Sequence, residues 1–375
     1  MKTYMTAGAA LLLTTSIATA GGLDRSGQSI GIIFEEGDVA QLSLGFVSPS
    51  VSGVATGPCL TGESGDMAES YVQVGLGYKQ QLTDEFSLAL IYDQPFGASV
   101  SYAGATGGYY TTGGGAEVNA WSLNAVGRYQ INENFSVHGG IRYQTVNANV
   151  TKPTTTPGVF YNIDTEDSSA SGYLVGAAYE RPDIALRVSL TYNSEVDHDI
   201  VGSETFGGVG DPATTSQITT PQSVNLDFQT GVAADTLVFG SIRWAEWTAF
   251  DYDPIAHRAA YLESLQSYDN DVFTYSIGVG RRFNDDFSGA ITLGYEKAQG
   301  GFAGVLAPTD GYFSVGVGGT YDVNDATELT AGVRYVMVGD ADTAHPSTMV
   351  PVGTVGAEFR DNTVMAFGLQ LTTKF

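Results

Sequence analysis

The last eleven residues of the chain alternate without a break. Met365, Phe367, Leu369, Leu371, Thr373 and Phe375 fall on one side of an extended segment, and Ala366, Gly368, Gln370, Thr372 and Lys374 on the other, because successive side chains of a strand point to opposite faces. One face suits lipid and the other suits water. A strand written this way ends either a soluble sandwich or a sheet that spans a membrane, and the sequence has to choose between them elsewhere.

The amino terminus makes the choice. Lys2 gives a short positive region, Ala7–Ile17 an apolar run, and Ala18-Thr19-Ala20 a small-x-small cleavage site, the pattern of a secretory signal peptide over residues 1–20. The mature chain is then expected to begin at Gly21. The run is too short to cross a bilayer as a helix, and no later stretch reaches the ~18 apolar residues that a spanning helix takes. In an exported chain, a final strand closed by Phe375 resembles the carboxy-terminal signature of bacterial outer-membrane β-barrels. That resemblance implies a contact between Phe375 and the barrel assembly machinery.

Composition agrees with a wall that is apolar on one side only. There are 48 glycines, 21 tyrosines and 18 phenylalanines against 12 prolines, and the mean hydropathy is close to zero. Only alternate residues of a barrel strand meet lipid. A single cysteine, Cys59, leaves no disulfide within the chain. The formal charge of −25 excludes nucleic acid as a partner, since phosphate binding takes an excess of Lys and Arg. Acidic residues gather in expected connections at Glu63–Glu69, Asp164–Asp167, Glu195–Asp199 and Asp340–Asp342. They read as solvated loop tips, or as sites where divalent cations bridge to lipopolysaccharide.

Period-two runs bounded by Gly, Asn, Asp and Pro predict fourteen strands, at 39–51, 70–81, 86–102, 117–130, 135–151, 168–180, 184–201, 218–233, 236–248, 271–283, 287–297, 311–321, 327–338 and 358–375. The links between them alternate in length. Short ones fall at Leu82–Glu85, Ile131–Asn134, Arg181–Asp183, Ala234–Asp235, Asn284–Asp286 and Asp322–Ala326. Long ones fall at 52–69, 103–116, 152–167, 202–217, 249–270, 298–310 and 339–357. Short turns on the periplasmic side and long loops outside are how outer-membrane barrels are built. Thr83-Asp-Glu-Phe-Ser87, Asn132-Glu-Asn-Phe-Ser136 and Asn284-Asp-Asp-Phe-Ser288 are near-copies of one turn. The fold class expected is all-β: a transmembrane antiparallel up-and-down β-barrel of about 14 strands over residues 39–375, in the outer membrane of a Gram-negative bacterium. Residues 21–38 carry no strand pattern over most of their length yet hold Ile30, Ile32, Ile33 and Phe34, which points to a short plug folded into the lumen.

The mature chain as a whole resembles the long-chain fatty acid and hydrocarbon transporters of the outer membrane (FadL/TodX type). The anchors are Gly21-Gly-Leu-Asp-Arg-Ser-Gly27, Phe46-Val-Ser-Pro-Ser-Val-Ser-Gly53, Tyr92-Asp-Gln-Pro-Phe-Gly97, Pro221-Gln-Ser-Val224 and Arg243-Trp-Ala-Glu-Trp-Thr-Ala-Phe250, in that order along the strands. The hatch here is short and lacks the Asn-Pro-Ala segment common in that family. The resemblance implies passive uptake of hydrophobic molecules such as long-chain fatty acids, with a lateral exit at an inward kink of the third strand. Pro95, Phe96 and Gly97 fit that kink, because Pro95 cannot donate a ladder bond and Gly97 permits a bend.

Arg128, Arg142, Arg187, Arg243 and Arg334 point inward by alternation, with Asp227, Glu296 or the hatch residues Glu35 and Glu36 as expected partners. A fatty-acid carboxylate favours an arginine fork; Arg142 and Arg243, away from the short turns, are the expected carboxylate ligands. Ile33, Phe34, Trp247 and Phe250 are the expected apolar contacts, with Tyr252 and Tyr261 completing an outer groove; alternatively Trp244 and Trp247 belong to an interfacial aromatic belt. No cofactor or catalytic centre is expected. The four histidines lack zinc-ligand spacing, and Ser136 and His138 have no orienting acid close in sequence. Asp197-His-Asp199 reads as a loop-tip charge cluster rather than a cation site. A general diffusion porin is the alternative function, with an outer-membrane lipase behind it.

Overall fold

The computed structural model describes residues 22–375 apart from 155, 157 and 348; the expected signal peptide, residues 1–20, and Gly21 lie outside the described residues. Among those described, fourteen antiparallel strands follow one another around a closed wall. They are Val39–Ser50, Tyr71–Gln81, Phe86–Asp93 continued by Gly97–Ser101, Gly115–Gln130, Phe135–Pro153, Ser168–Arg181 and Leu186–Asn193 continued by Val196–Phe206. Next come Val209–Thr220 continued by Ser223–Ala233, Thr236–Ala245, Val272–Arg282, Phe287–Glu296, Tyr312–Asn324, Thr327–Val338 and Thr363–Lys374. The first strand pairs with the last, Val39 opposite Lys374 and Ser50 opposite Thr363, so the wall has no unpaired edge to leave in lipid.

Burial runs opposite to that of a soluble domain. Ile141 is 66% exposed and Ile291 53%, whereas their neighbours Arg142 and Thr292 are each 2%. A sandwich would bury the isoleucines. Here the apolar face is the outer one, and the polar face lines the inside. The three near-copied turns share one mechanism. The carbonyls of Phe86, Phe135 and Phe287 each accept from two amides before the turn, while the side-chain oxygens of Thr83, Asn132 and Asn284 accept from amides within it. Each turn returns the chain with an aromatic on the outer face.

Four expectations are corrected. Residues 202–217 are not a loop: Val196–Phe206 and Val209–Thr220 are paired strands that carry the wall outward to a tip at Gly207-Gly208, both in the left-handed region. Above the lipid neither face needs to be apolar, so Thr, Ser and Gly carry the alternation and the period-two signal fades. Glu195–Asp199 is likewise no loop tip. Ser194-Glu195 interrupts the seventh strand, after which His198 is buried while Asp197 and Asp199 point away, bonded by Thr219 and Gln217. The final run divides at Arg360–Asn362: Thr363–Lys374 closes the barrel, whereas Val355–Phe359 joins a four-stranded external sheet with Gly53–Ala55, Phe302–Ala303 and Ala341–Ala344. Residues 249–270 contain a short helix, Ile255–Tyr261.

Because Gly207 tops a hairpin on the long-loop side and Asp285 lies in a short turn, an epitope inserted at Gly207 is expected to be reached by antibody on intact cells. One at Asp285 becomes reachable only after permeabilisation. Labelling of Asp285 on intact cells would reverse the orientation.

Candidate ligand path through the barrel

Residues 22–38 run along the inside of the wall. Ile30, Ile32 and Ile33 are buried against Val39, Ala89, Ile91, Val126 and Leu174. Phe34 lies between two guanidinium groups, 4.9 Å from that of Arg128 and 4.6 Å from that of Arg187. Lys374 reaches Glu35 at 3.5 Å, and Arg128 is paired with Glu180 rather than with the segment's own acids. Ile33 and Phe34 therefore anchor the segment near the short turns.

The segment's start meets a break in the wall. The second and third strands pair from Gln81–Ser87 up to Leu76–Tyr92 and no further. Higher up, Glu69 N donates to Ser99 O at 3.0 Å and Ser101 N to Met67 O at 2.8 Å. Between these points the two strands form no ladder pair, because Gln94–Phe96 leave the sheet and Pro95 has no amide to give. The freed groups are taken from inside. Gly97 N donates to Leu23 O at 2.8 Å, and Pro95 O accepts from Arg25 N at 2.8 Å and Ser26 N at 3.3 Å. Gln73 Nε2 donates to Arg25 O at 2.9 Å, and Ser26 Oγ to Asp93 at 2.5 Å. The Arg25 guanidinium lies 4.2 Å over the Tyr71 ring and only 2.6 Å from where a β-carbon on residue 97 would stand. A side chain at 97 would therefore have to displace the Arg25 guanidinium from the gap.

Three spaces meet along residues 23–34. The first is an apolar cavity of about 800 Å³ including its mouth, lined by Leu23, Phe96, Val146, Ile200, Trp247 and Phe250 and closed from above by Tyr252, Leu265 and Tyr268. No Asp, Glu, Lys or Arg lines it among the described residues. Phe96 meets Trp247 edge-on at 5.6 Å, and Trp247 approaches Gly22 so closely that a β-carbon there would overlap its ring. The second, about 990 Å³ including its mouth, is bordered by Ser26, Ile32, Gly45, Gly75 and Gly77 together with Tyr92 and Asp93, where the second and third strands part. The third is a polar space of about 1030 Å³ around Phe34, Arg187, Asp227, Arg243 and Arg334.

A family model for outer membrane protein transport proteins (OMPP1/FadL/TodX) matches residues 37–375. The chain belongs to this family of outer-membrane transport proteins. Among solved structures, a FadL homologue of Pseudomonas aeruginosa superposes with a TM-score of 0.76 at 13% identity, covering 92% of both chains. The toluene transporter TodX of P. putida gives 0.65 at 14% identity, over 92% of this chain and 91% of that one. The toluene transporter TbuX of Ralstonia pickettii gives 0.65 at 11%, over 97% and 98%. At these identities the likeness is one of fold. No curated protein matches the chain.

Within this family member the expected site residues separate into groups. Trp247, Phe250, Phe96 and Tyr252 come together in the apolar cavity, whereas Tyr261 lies apart against His257 and Phe206. Trp244 donates to Asp271 outside the cavity. Arg142, 2% exposed, is held by Asn124 and Asn193 at 3.2 and 2.6 Å. Arg243 is bonded to Ser223, Asn225 and Gln28 and forms an ion pair of 2.9 Å with Asp24. Ser136 and His138 are each engaged elsewhere, with Arg128 and Thr191. Leu23 and Asp24 lie in the anchor Gly21–Gly27 of the family resemblance, but no sequence pattern assigned either of them a contact. The cavity wall did carry one: the inward positions of the fourth and fifth strands are Ala116, Val118, Ala120, Val146, Ala148 and Val150 at the outer end but Asn124, Arg128, His138 and Arg142 further in.

A clamp holds the cover of the cavity. Glu204, fully buried, accepts from Tyr161 Oη, Thr214 Oγ1, Ala256 N and His257 N at 3.0, 2.6, 3.2 and 3.0 Å, so it caps the positive end of Ile255–Tyr261. His257 is also fully buried, with Nδ1 3.2 Å from Glu263 O, Nε2 3.3 Å from Lys152 Nζ, and the Tyr161 and Tyr261 rings about it. Burial, and then the Lys152 charge, push its imidazole from 6.5 down to about 4. The folded clamp holds His257 neutral while the opened one takes up a proton. Its stability is therefore full above about 6.5 and is lost as pH falls towards about 4. Hydrogen exchange at the amides of 255–263 is expected to speed up by up to about tenfold per pH unit across that window, after correction for intrinsic rates. His257→Gln should flatten the response; an unchanged pH response in that variant would remove His257 from the clamp.

Proposed function

We propose that the protein takes up hydrophobic molecules passively, receiving them from outside in the apolar cavity and releasing them sideways into the membrane through the gap in the third strand. Long-chain fatty acids are the cargo this reading favours. The observation that carries it is the gap at Gln94–Phe96, where no ladder reaches the second strand and Pro95 O and Gly97 N bond instead to residues 23–26. In this reading the segment 21–38 is a hatch. A wall built for rigidity alone would pair its strands throughout, and a porin would keep an open polar channel where this lumen holds residues 22–34.

Energetics support passive release. Moving a hydrocarbon tail from water into the cavity gains about 0.8 kcal/mol per methylene, whereas moving it on into lipid exchanges one apolar surrounding for another. No energy source is needed to empty the cavity, only an open path.

The test fills that path without touching the cavity. Gly45 borders the second space, and a β-carbon there meets Gln73 at an ordinary 3.5 Å. Gly45→Phe is expected to fold normally, shown by heat-modifiable gel migration, and to bind a fluorescent long-chain fatty acid as the parent does. Uptake by cells should fall about tenfold or more, the effect of ~1.4 kcal/mol on a barrier. Undiminished uptake would sink the lateral route, and a large steady ion conductance of the parent in planar bilayers would favour a porin.

A further inference from the structure

Resting on this uptake reading, we propose that Asp24 is a built-in surrogate for the cargo's head group. It occupies a carboxylate seat made by Arg243 and Trp247, and a carboxylate-headed amphiphile displaces it, unlatching the exit gap. The seat is complete without the hatch acid. Arg243 Nη1 donates to Ser223 Oγ at 2.8 Å, Asn225 Oδ1 at 2.9 Å and Gln28 Oε1 at 3.2 Å, which leaves Nη2 to reach Asp24 Oδ1 at 2.9 Å. Trp247 Nε1 donates to the other oxygen, Asp24 Oδ2, at 3.1 Å. Two donors from the barrel thus take the two oxygens of one carboxylate, a geometry that any carboxylate can copy.

Position links this seat to the cargo. Trp247 and Leu23 both line the apolar cavity, so an acyl chain in the cavity brings its head group to the indole N–H. Asp24 also sits in the strip that closes the gap: its neighbours Leu23, Arg25 and Ser26 satisfy Gly97 N and Pro95 O, and Asp24 itself bridges to Phe96. Any movement of the strip that opens the gap pulls Asp24 from Arg243. The guanidinium, 6% exposed, would then lose the one carboxylate that pairs with it within 4 Å among the described residues, Asp227 sharing its space from farther off, a costly change for a buried charge. A cargo carboxylate supplies the missing charge; an ester or an alkane of equal length does not. The ion pair therefore makes opening of the gap depend on the chemistry of the head group.

The experiment uses the mature protein purified from outer membranes and two probes, a fluorescent sixteen-carbon monocarboxylic acid and its methyl ester. Asp24→Ala vacates the seat, so acid affinity should rise about tenfold while ester affinity stays within about twofold. Arg243→Gln should lower acid affinity by a similar factor and spare the ester. In the parent, saturating acid should speed hydrogen exchange at the amides of Arg25 and Gly97, and saturating ester should not; this arm stands even where a variant fails to fold. Equal changes for acid and ester, unchanged acid affinity in Asp24→Ala, or amides indifferent to the acid would each overturn the proposal while leaving uptake intact. Binding of neither probe by the parent would overturn the uptake reading and the seat with it.

Discussion

In hydrocarbon, no water is present to satisfy a backbone N–H or C=O, so every such group in the wall has to find its partner inside the protein. Most of the fourteen neighbour pairs meet this with continuous ladders; the sixth and seventh strands pair only from Arg181–Leu186 to Leu174–Asn193, and the second and third strands only from Gln81–Ser87 to Leu76–Tyr92. There Pro95 and the residues on either side of it leave the sheet, and the demand passes to the amino-terminal segment, whose backbone supplies what a strand would have supplied. The segment's place in the lumen follows from that demand. The side chain of Arg25 fills the space beside Gly97 on that side of the strand.

The same segment divides the interior by polarity. Outside it the cavity walls are alanine, valine, isoleucine and aromatic rings; on the other side lie the arginines and their amide and hydroxyl partners. Arg142 and Arg243 are both well supplied with partners, as buried guanidinium groups have to be. What distinguishes Arg243 is that two of its partners, Gln28 and the acid Asp24, belong to the segment rather than to the wall. An ion pair within the wall can only stabilise the wall, whereas one that crosses to a separate segment ties its strength to where that segment lies.

Much of the architecture was legible because lipid imposes a strict rule on sequence. Phe313, Val315 and Val317 against Ser314, Gly316 and Gly318 reads as a two-faced strand at sight, and the repeated Phe-Ser turns fix where strands begin. The rule lapses above the membrane, which is why 202–217 passed for a loop and why 358–375 passed for one strand. Pro95 marked the break, since the absence of an amide is a property of the residue itself. The closure of that break by Leu23, Asp24 and Arg25 was not legible. It joins residues about seventy positions apart through backbone atoms, and backbone atoms leave no trace in side-chain pattern. Arg243 was found from its face of the strand, but its partner was sought among Asp227, Glu296, Glu35 and Glu36, because spacing along an irregular segment does not say which acid faces which strand.

The distribution of hydrogen bonds also decides which part of the molecule can move. Each ladder between adjacent strands holds about ten residues on either side, and a net ~0.5–1.5 kcal/mol per bond makes separating two of them a large and cooperative cost. The strip at residues 23–26 is held to the gap by three backbone bonds. Its remaining ties are the side chains of Asp24, Ser26 and Arg25 and the carbonyl that Gln73 reaches. Local opening takes the least stable segment first, so the strip yields long before the barrel does. On the proposed route, a gap covered by a weakly held segment would let a hydrophobic molecule pass without any strand leaving its neighbours. Making the strip stronger would seal the gap, and removing it would leave bare backbone facing lipid. The few bonds present lie between those limits, and the ion pair to Arg243 is the one among them whose strength a ligand can change.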